Sequence, residues 1–193
     1  MNDKINELVR RISENMQNLE FLLQAEGIKS VNIRFPRGVI RTADHFRNRL
    51  SFINDYVLKT NIAYHLMLTD VYRWILNRFD ISLTAQEMLI KEGISLIGNI
   101  IEAILKHILK RLSILSSDIG FSKACTILVE RKIISKEQKK NLKWVWDMRC
   151  KEHIFTLPNT EYGKYTLEHY NKAIQVWRDL EKSLQKAENE GLI

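Results

Sequence analysis

The sequence predicts an all-α protein. Three observations carry that expectation: only seven glycines and two prolines punctuate 193 residues, apolar residues recur at helical spacing over most of the chain, and two pairs of residues read as helix-opening capping boxes. A many-stranded fold of this length would need far more turn residues.

The helices follow in order. Residues 3–25 place Ile5, Leu8, Val9, Ile12, Met16, Leu19 and Leu23 on one stripe, with Gly27 as a stop. The next stretch is the one with strand character. Val31, Ile33 and Phe35 alternate with polar residues, and Pro36-Arg37-Gly38 is turn chemistry, so a short hairpin or an extended arm fits. From Thr42 the helical period returns through Phe46, Leu50, Ile53 and Val57. A helix over about 61–79 then shows Leu68, Val71, Trp74 and Ile75, and the two segments could form one bent rod. Thr84 with Glu87 reads as a capping box, opening a helix to about Ser116. Its apolar set, from Leu89 and Ile90 through Ile108 and Leu112, is wide enough to mark it as central. A polar stripe of Ser95, Asn99, Glu102 and Lys106 crosses that helix, most simply as its wet side. A shorter helix is expected over 121–133. Ser135 with Gln138 opens another to about Phe155, and Leu157-Pro158-Asn159-Thr160 closes it. The last helix, about 161–188, aligns Leu167, Tyr170, Ile174, Trp177 and Leu184.

Composition excludes several classes of function. No run of 18 apolar residues suggests a membrane span, and Asp3 and Glu7 break any secretory signal at the start. Cys125 and Cys150 make no disulfide framework and no metal pattern, so they read as free thiols in a reducing cytoplasm, and neither metal nor cofactor is expected. His45, His65, His107 and His169 are scattered and suggest no ligand set. Trp144, Trp146 and Trp177 read as packing residues.

The net charge of +7 is concentrated. Residues 29–49 hold Lys29, Arg34, Arg37, Arg41, Arg47 and Arg49 against Asp44, and residues 131–151 hold eight cations against Glu137 and Asp147. Two basic segments permit a polyanion such as RNA, although a solvated helix face would look the same. Lys136, Lys140 and Lys143 share one helix face, and with Lys151 they are the candidate nucleic-acid contacts. Asp147 on the same face dilutes their charge.

The chemistry concentrates at the end of the helix after Ser135. Leu142 and Trp146 mark a core-facing line, and its continuation reaches Arg149 and then His153. Four residues apart on an α-helix, those two side chains share a face. Arg offers a permanently charged fork of donors for phosphate oxygens, and His takes or gives a proton near neutral pH. Together they could grip a phosphodiester and move the proton of a ribose 2′-hydroxyl without a metal.

The stretch from Leu128-Val129-Glu130-Arg131 through Ser135-Lys136-Glu137-Gln138, then Leu142 and Trp146-Asp147-Met148-Arg149-Cys150-Lys151-Glu152-His153, resembles the second half of HEPN domains. Gly98-Asn99-Ile100-Ile101-Glu102-Ala103 resembles the acidic helix that faces the Arg…His motif in that family, and the tail with Tyr162, Tyr165 and Tyr170 resembles its closing helix. The resemblance covers about residues 60–185, which suggests a division into 1–58 (helix, basic arm and linking helix) and 59–193 (the bundle). It implies an antiparallel helical bundle, often a homodimer with a composite site. In active members that site is a metal-independent endoribonuclease, a hydrolase leaving a cyclic phosphate, in toxin–antitoxin or phage-defence settings. Arg149 would then hold the scissile phosphate, His153 would act as general acid or base, and Asn99 and Glu102 would orient them or touch substrate. An antitoxin protein such as a small nucleotidyltransferase would be a partner. Three positions depart from the family pattern: the Arg-to-His spacing is shorter than the common one, Cys150 stands where Asn is frequent, and Phe155 stands where some members have Tyr. A non-catalytic module binding RNA, a nucleotide or a protein, and a structural dimerisation bundle, are the other readings of the same residues.

Overall fold

A computed structural model describes residues 2–114, 119–152 and 160–193. Helix dominates, and among the described residues there is no strand. The chain divides into two compact units, Met1–Arg37 and Gly38–Ile193.

The first unit is built on α1 (Asp3–Glu26). The Asn2 side chain accepts a hydrogen bond from the Lys4 N–H and opens the helix. Gly27 closes it in the left-handed conformation, its N–H donating to the Gln24 carbonyl while the Ile28 N–H donates to that of Leu23. The expected amphipathic stripe is present, yet α1 contains no buried residue. Residues 28–36 are neither helix nor strand, so of the two expected forms for this arm the hairpin is not formed.

The second unit contains α2 (Ala43–Arg49), α3 (Tyr56–Arg78), α4 (Leu83–Arg111), α5 (Phe121–Glu130), α6 (Lys136–Arg149) with a 3-10 turn over Cys150–Glu152, and α7 (Leu167–Asn189). The centre is α4, which packs against α3, α5, α6 and α7. Ile90, Ile94, Ile97, Ile101, Ile104, Leu105 and Ile108 are almost fully buried, as a wide apolar arc requires. Two glycines let neighbours approach α4 closely. A Cβ on Gly93 would lie 2.8 Å from the Tyr170 ring of α7, and one on Gly98 would lie 2.8 Å from the Cβ of Arg149 on α6.

α2 and α3 are separate helices, not one bent rod. Leu50 leaves helical geometry, and the Asp55 side chain caps a new start by accepting from the Leu58 N–H. Phe46, Leu50 and Ile53 are buried as expected, but Val57 falls beyond the break and is exposed. The core line of α3 also differs from the expected one. Ile62, Ala63, Leu66 and Leu76 are buried, whereas Leu68 is 43% exposed and Val71, Trp74 and Ile75 are half-buried. Phe46, Leu50, Phe52 and Ile53 belong to the same core as α4, so a division at residue 58 would cut through it; the two units meet at Arg37–Gly38 instead.

Polar ties fasten this region. Asp70, buried in α3, accepts from the Arg41 backbone N–H and from two guanidinium nitrogens of Arg41, and Arg73 reaches it as well. Burial alone would raise the Asp70 carboxyl, but the Arg41 hydrogen bonds and the two positive charges hold it below its ordinary value. Arg49 bonds to buried Glu181 of α7, and Arg111 bridges the Phe52 carbonyl to Glu188. The Tyr170 hydroxyl, fully enclosed, donates to the Thr69 carbonyl.

The expected Thr84–Glu87 capping box is not formed. α4 begins after Ser82 without a side-chain cap. The Glu87 carboxylate instead accepts the backbone N–H groups of Gly163, Lys164 and Tyr165, at 3.0, 3.0 and 3.4 Å. That turn, with Gly163 at φ 74°, delays the last helix to Leu167, where Thr166 and His169 make a capping box of their own. The expected end of α4 at Ser116 lies outside the described residues, and its α-helical part stops at Arg111.

Candidate functional site

α6 is set in place by its first turn. The Ser135 hydroxyl accepts from the Gln138 N–H, and the Gln138 side chain accepts from the Ser135 N–H, as the sequence pattern predicts. The Gln138 amide then reaches across to α7, donating to Ser183 Oγ at 2.7 Å and to the Asp179 carbonyl at 3.1 Å. From there Leu142, Val145 and Met148 descend into the core. Trp146 and Arg149 fall at the edge of that line, where α6 meets α4.

Arg149 is the centre of this edge. Its Nε donates to Asn99 Oδ1 at 2.9 Å, and an Nη stands 3.5 Å from a Glu102 carboxylate oxygen. Asn99 and Glu102 are one turn apart on α4 and so present both acceptors to the same guanidinium. The contact is close because Gly98 has no side chain to hold the Arg149 stem away. The guanidinium carbon also lies 4.8 Å from the centre of the Trp146 ring, within cation–π range. Trp146 in turn stacks on Phe121 of α5, with ring centres 4.6 Å apart and planes 8° from parallel. Arg149 and Glu102 are each about a quarter exposed (24% and 23%), so water and ligand can reach them. Lys106 completes the polar line with a 2.7 Å bond to Glu102. Beside it a depression of about 230 Å³ is bounded by Glu102, Leu105, Lys106, Phe121, Ala124 and Trp146.

The structure thus brings together Arg149, Asn99 and Glu102, three of the four residues expected at a catalytic centre. The fourth, His153, lies outside the described residues, as do Phe155 and the Leu157-Pro158-Asn159 segment. The α-helix expected to carry Arg149 and His153 on one face ends at Arg149 and tightens into a 3-10 turn. The four-residue spacing therefore no longer implies a shared face, since a 3-10 turn holds three residues.

The candidate nucleic-acid lysines do not join this cluster. Lys136, Lys140 and Lys143 are exposed, but at about 100° per residue they sit roughly 120–180° around α6 from Arg149. Lys143 is engaged by Asp147 at 2.9 Å. Lys151 is exposed beyond the helix end, its ammonium 3.5 Å from the Met148 sulfur. The polar stripe of α4 is not uniformly wet either. Asn99 and Lys106 are exposed, whereas Ser95 is buried and its hydroxyl has no hydrogen-bond partner among the described residues.

Sequence reasoning missed the aromatic floor under Arg149, because nothing in the spacing pairs Phe121 with Trp146. It also passed over the packing role of Gly98. A glycine in the middle of a buried helix costs about 1 kcal/mol relative to alanine and so signals a close approach. A further polar cluster went unforeseen: Lys91, 4% exposed, bonds Glu161 at 2.8 Å, and Glu161 accepts from the Tyr165 hydroxyl at 2.7 Å. Among the described residues, no three His, Cys, Asp or Glu side chains converge as a metal ion would need, and no helix is long and apolar enough to cross a membrane. Cys125 and Cys150 are free, and burial pushes the Cys125 thiol up to about 11.

No family model, no curated protein and no solved structure matches this chain.

Proposed function

We propose that the protein is a HEPN-type, metal-independent RNA endonuclease, working as a homodimer in a toxin–antitoxin or phage-defence setting. The observation that supports this reading is the Arg149 guanidinium, held by Asn99 and Glu102 over the Trp146 ring at an open edge between two helices. In this reading Arg149 grips the scissile phosphate. His153 takes the proton of a ribose 2′-hydroxyl as its oxygen forms a bond to phosphorus. The 5′-oxygen leaves and takes up a proton, and a cyclic phosphate remains. Asn99 fixes the plane of the guanidinium, and Glu102 gives up part of its contact with it as negative charge builds on the phosphate during attack. A neighbouring antitoxin, such as a small nucleotidyltransferase, would restrain this activity.

The purified protein is expected to cleave RNA in EDTA. Arg149→Ala and His153→Ala should each abolish cleavage while circular dichroism shows an unchanged helical fold. Cleavage that survives both substitutions would end the reading. A second reading has its own support. Glu102 stands against Arg149 and Asp147 against Lys143, so both cations are partly neutralised from within. That suits a non-catalytic module that binds RNA, a nucleotide or a protein partner. It predicts salt-sensitive RNA affinity, weakened by Arg149→Ala, with no turnover.

A further inference from the structure

We propose that the apolar face of α1 is an interface for a second copy of this chain, the two α1 helices pairing antiparallel. Three observations lead there, and none depends on the ribonuclease reading.

The first is exposure. Ile5, Leu8, Ile12 and Leu22 are 49, 48, 57 and 53% exposed, and no residue of α1 is buried. A helix of 24 residues with no more than Leu19 and Leu23 half-buried rests mainly on its own hydrogen bonds and on local ion pairs, such as Arg10 with Glu7 and Glu14. Helices of that length are marginal in water without a partner.

The second is register. The apolar positions of α1 follow a strict heptad for three repeats. Val9, Met16 and Leu23 occupy a, and Ile5, Ile12 and Leu19 occupy d. A globular helix that merely rests on a core keeps a 3.6-residue period, and its stripe drifts across the heptad. Leu8 and Leu22 at g widen the seam. A pairing along the helix, about 36 Å long, covers on the order of 1,000 Å², where specific interfaces begin.

The third is charge. Residues 3–13 carry Lys4, Arg10 and Arg11 against Asp3 and Glu7, a balance of +1, while residues 14–26 carry Glu14, Glu20 and Glu26, a balance of −3. A parallel pair would set the two −3 halves side by side. An antiparallel pair sets each against the +1 half of its partner. Ile5 then faces Leu23 of the other copy, Val9 faces Leu19 and Ile12 faces Met16, with the twofold axis at the level of residue 14.

Sedimentation of the full chain tests the pairing. The wild type should double in mass as its concentration rises. Ile12→Lys with Leu23→Lys should hold the chain at the monomer mass throughout, with unfolding of the second unit unchanged. For orientation, a mixture of Ile5→Cys chains with Leu23→Cys chains should form a disulfide-linked pair of the two, and Ile5→Cys chains alone should not cross-link through residue 5. A wild type that stays monomeric at every concentration, with α1 amides either exchanging freely or protected by its own chain, would overturn the proposal. So would a dimer untouched by the two lysines, or Ile5→Cys chains that cross-link to one another through residue 5.

Discussion

α1 and α4 are both long amphipathic helices, of 24 and 29 residues, and they end in opposite circumstances. α4 is enclosed on four sides by other helices; α1 has no buried residue. The difference is visible in the width and period of the apolar set. The arc of α4 runs around most of the helix, so any single neighbour leaves part of it wet and several are needed. The stripe of α1 is a narrower seam with a seven-residue repeat, which one partner helix can cover. Amphipathicity predicts that a face will be covered, while its width indicates how many neighbours must do so.

Four substitutions break or sharpen this contrast, from the largest effect to the smallest. Ile104→Ala removes a fully buried side chain from α4, and chemical denaturation should show a loss of about 2–5 kcal/mol. Asp70→Asn strips the Arg41 guanidinium of its counter-charge. A wholly buried pair would lose about 3–5 kcal/mol, and since the Arg41 side chain is one-third exposed the expected loss is about 2 kcal/mol. Its signature is in the pH dependence. The Asp70 carboxyl is held below its ordinary value, so its contribution is complete above the normal aspartate range and disappears as pH falls through the lowered value. The Asn variant should flatten that acid limb in thermal melts. Gly98→Ala drives a methyl group into the Arg149 stem. Alanine's better helix propensity returns about 1 kcal/mol and overpacking costs about 1–3, so a net loss near 1 kcal/mol is expected. Ile12→Ala on α1 should change the unfolding free energy of the second unit by less than about 0.5 kcal/mol when measured on dilute protein.

The parts of the fold legible in the sequence are those decided within one element. The core positions of α4 follow from its own periodicity, and the Ser135–Gln138 box from a four-residue pattern. The proximity of Asn99 and Glu102 to Arg149 could be read only through a family resemblance, since fifty residues separate the two helices. What escaped depends on distant partners. α3 carries apolar residues around most of its circumference, so Leu68, Val71 and Ile75 looked as inward as Ile62 and Leu66 until α2 and α4 chose a side. Glu87 sits where a capping glutamate would, but the backbone of a turn 76 residues later offered it three donors at once. Trp146 and Phe121 come from different helices joined by a loop, and no local rule sets their rings parallel.

The missing side chain at position 98 has a consequence for how this protein can vary. With Arg149 in place, any larger residue at 98 wedges α6 away from α4 and carries the guanidinium off Asn99 and Glu102. The nearest atom is the Cβ of residue 149, which every residue but glycine carries, so a smaller side chain there does not lift the constraint on 98. In any lineage descended from this chain, glycine should therefore persist at 98 whatever side chain stands at 149, for as long as α6 keeps this approach to α4.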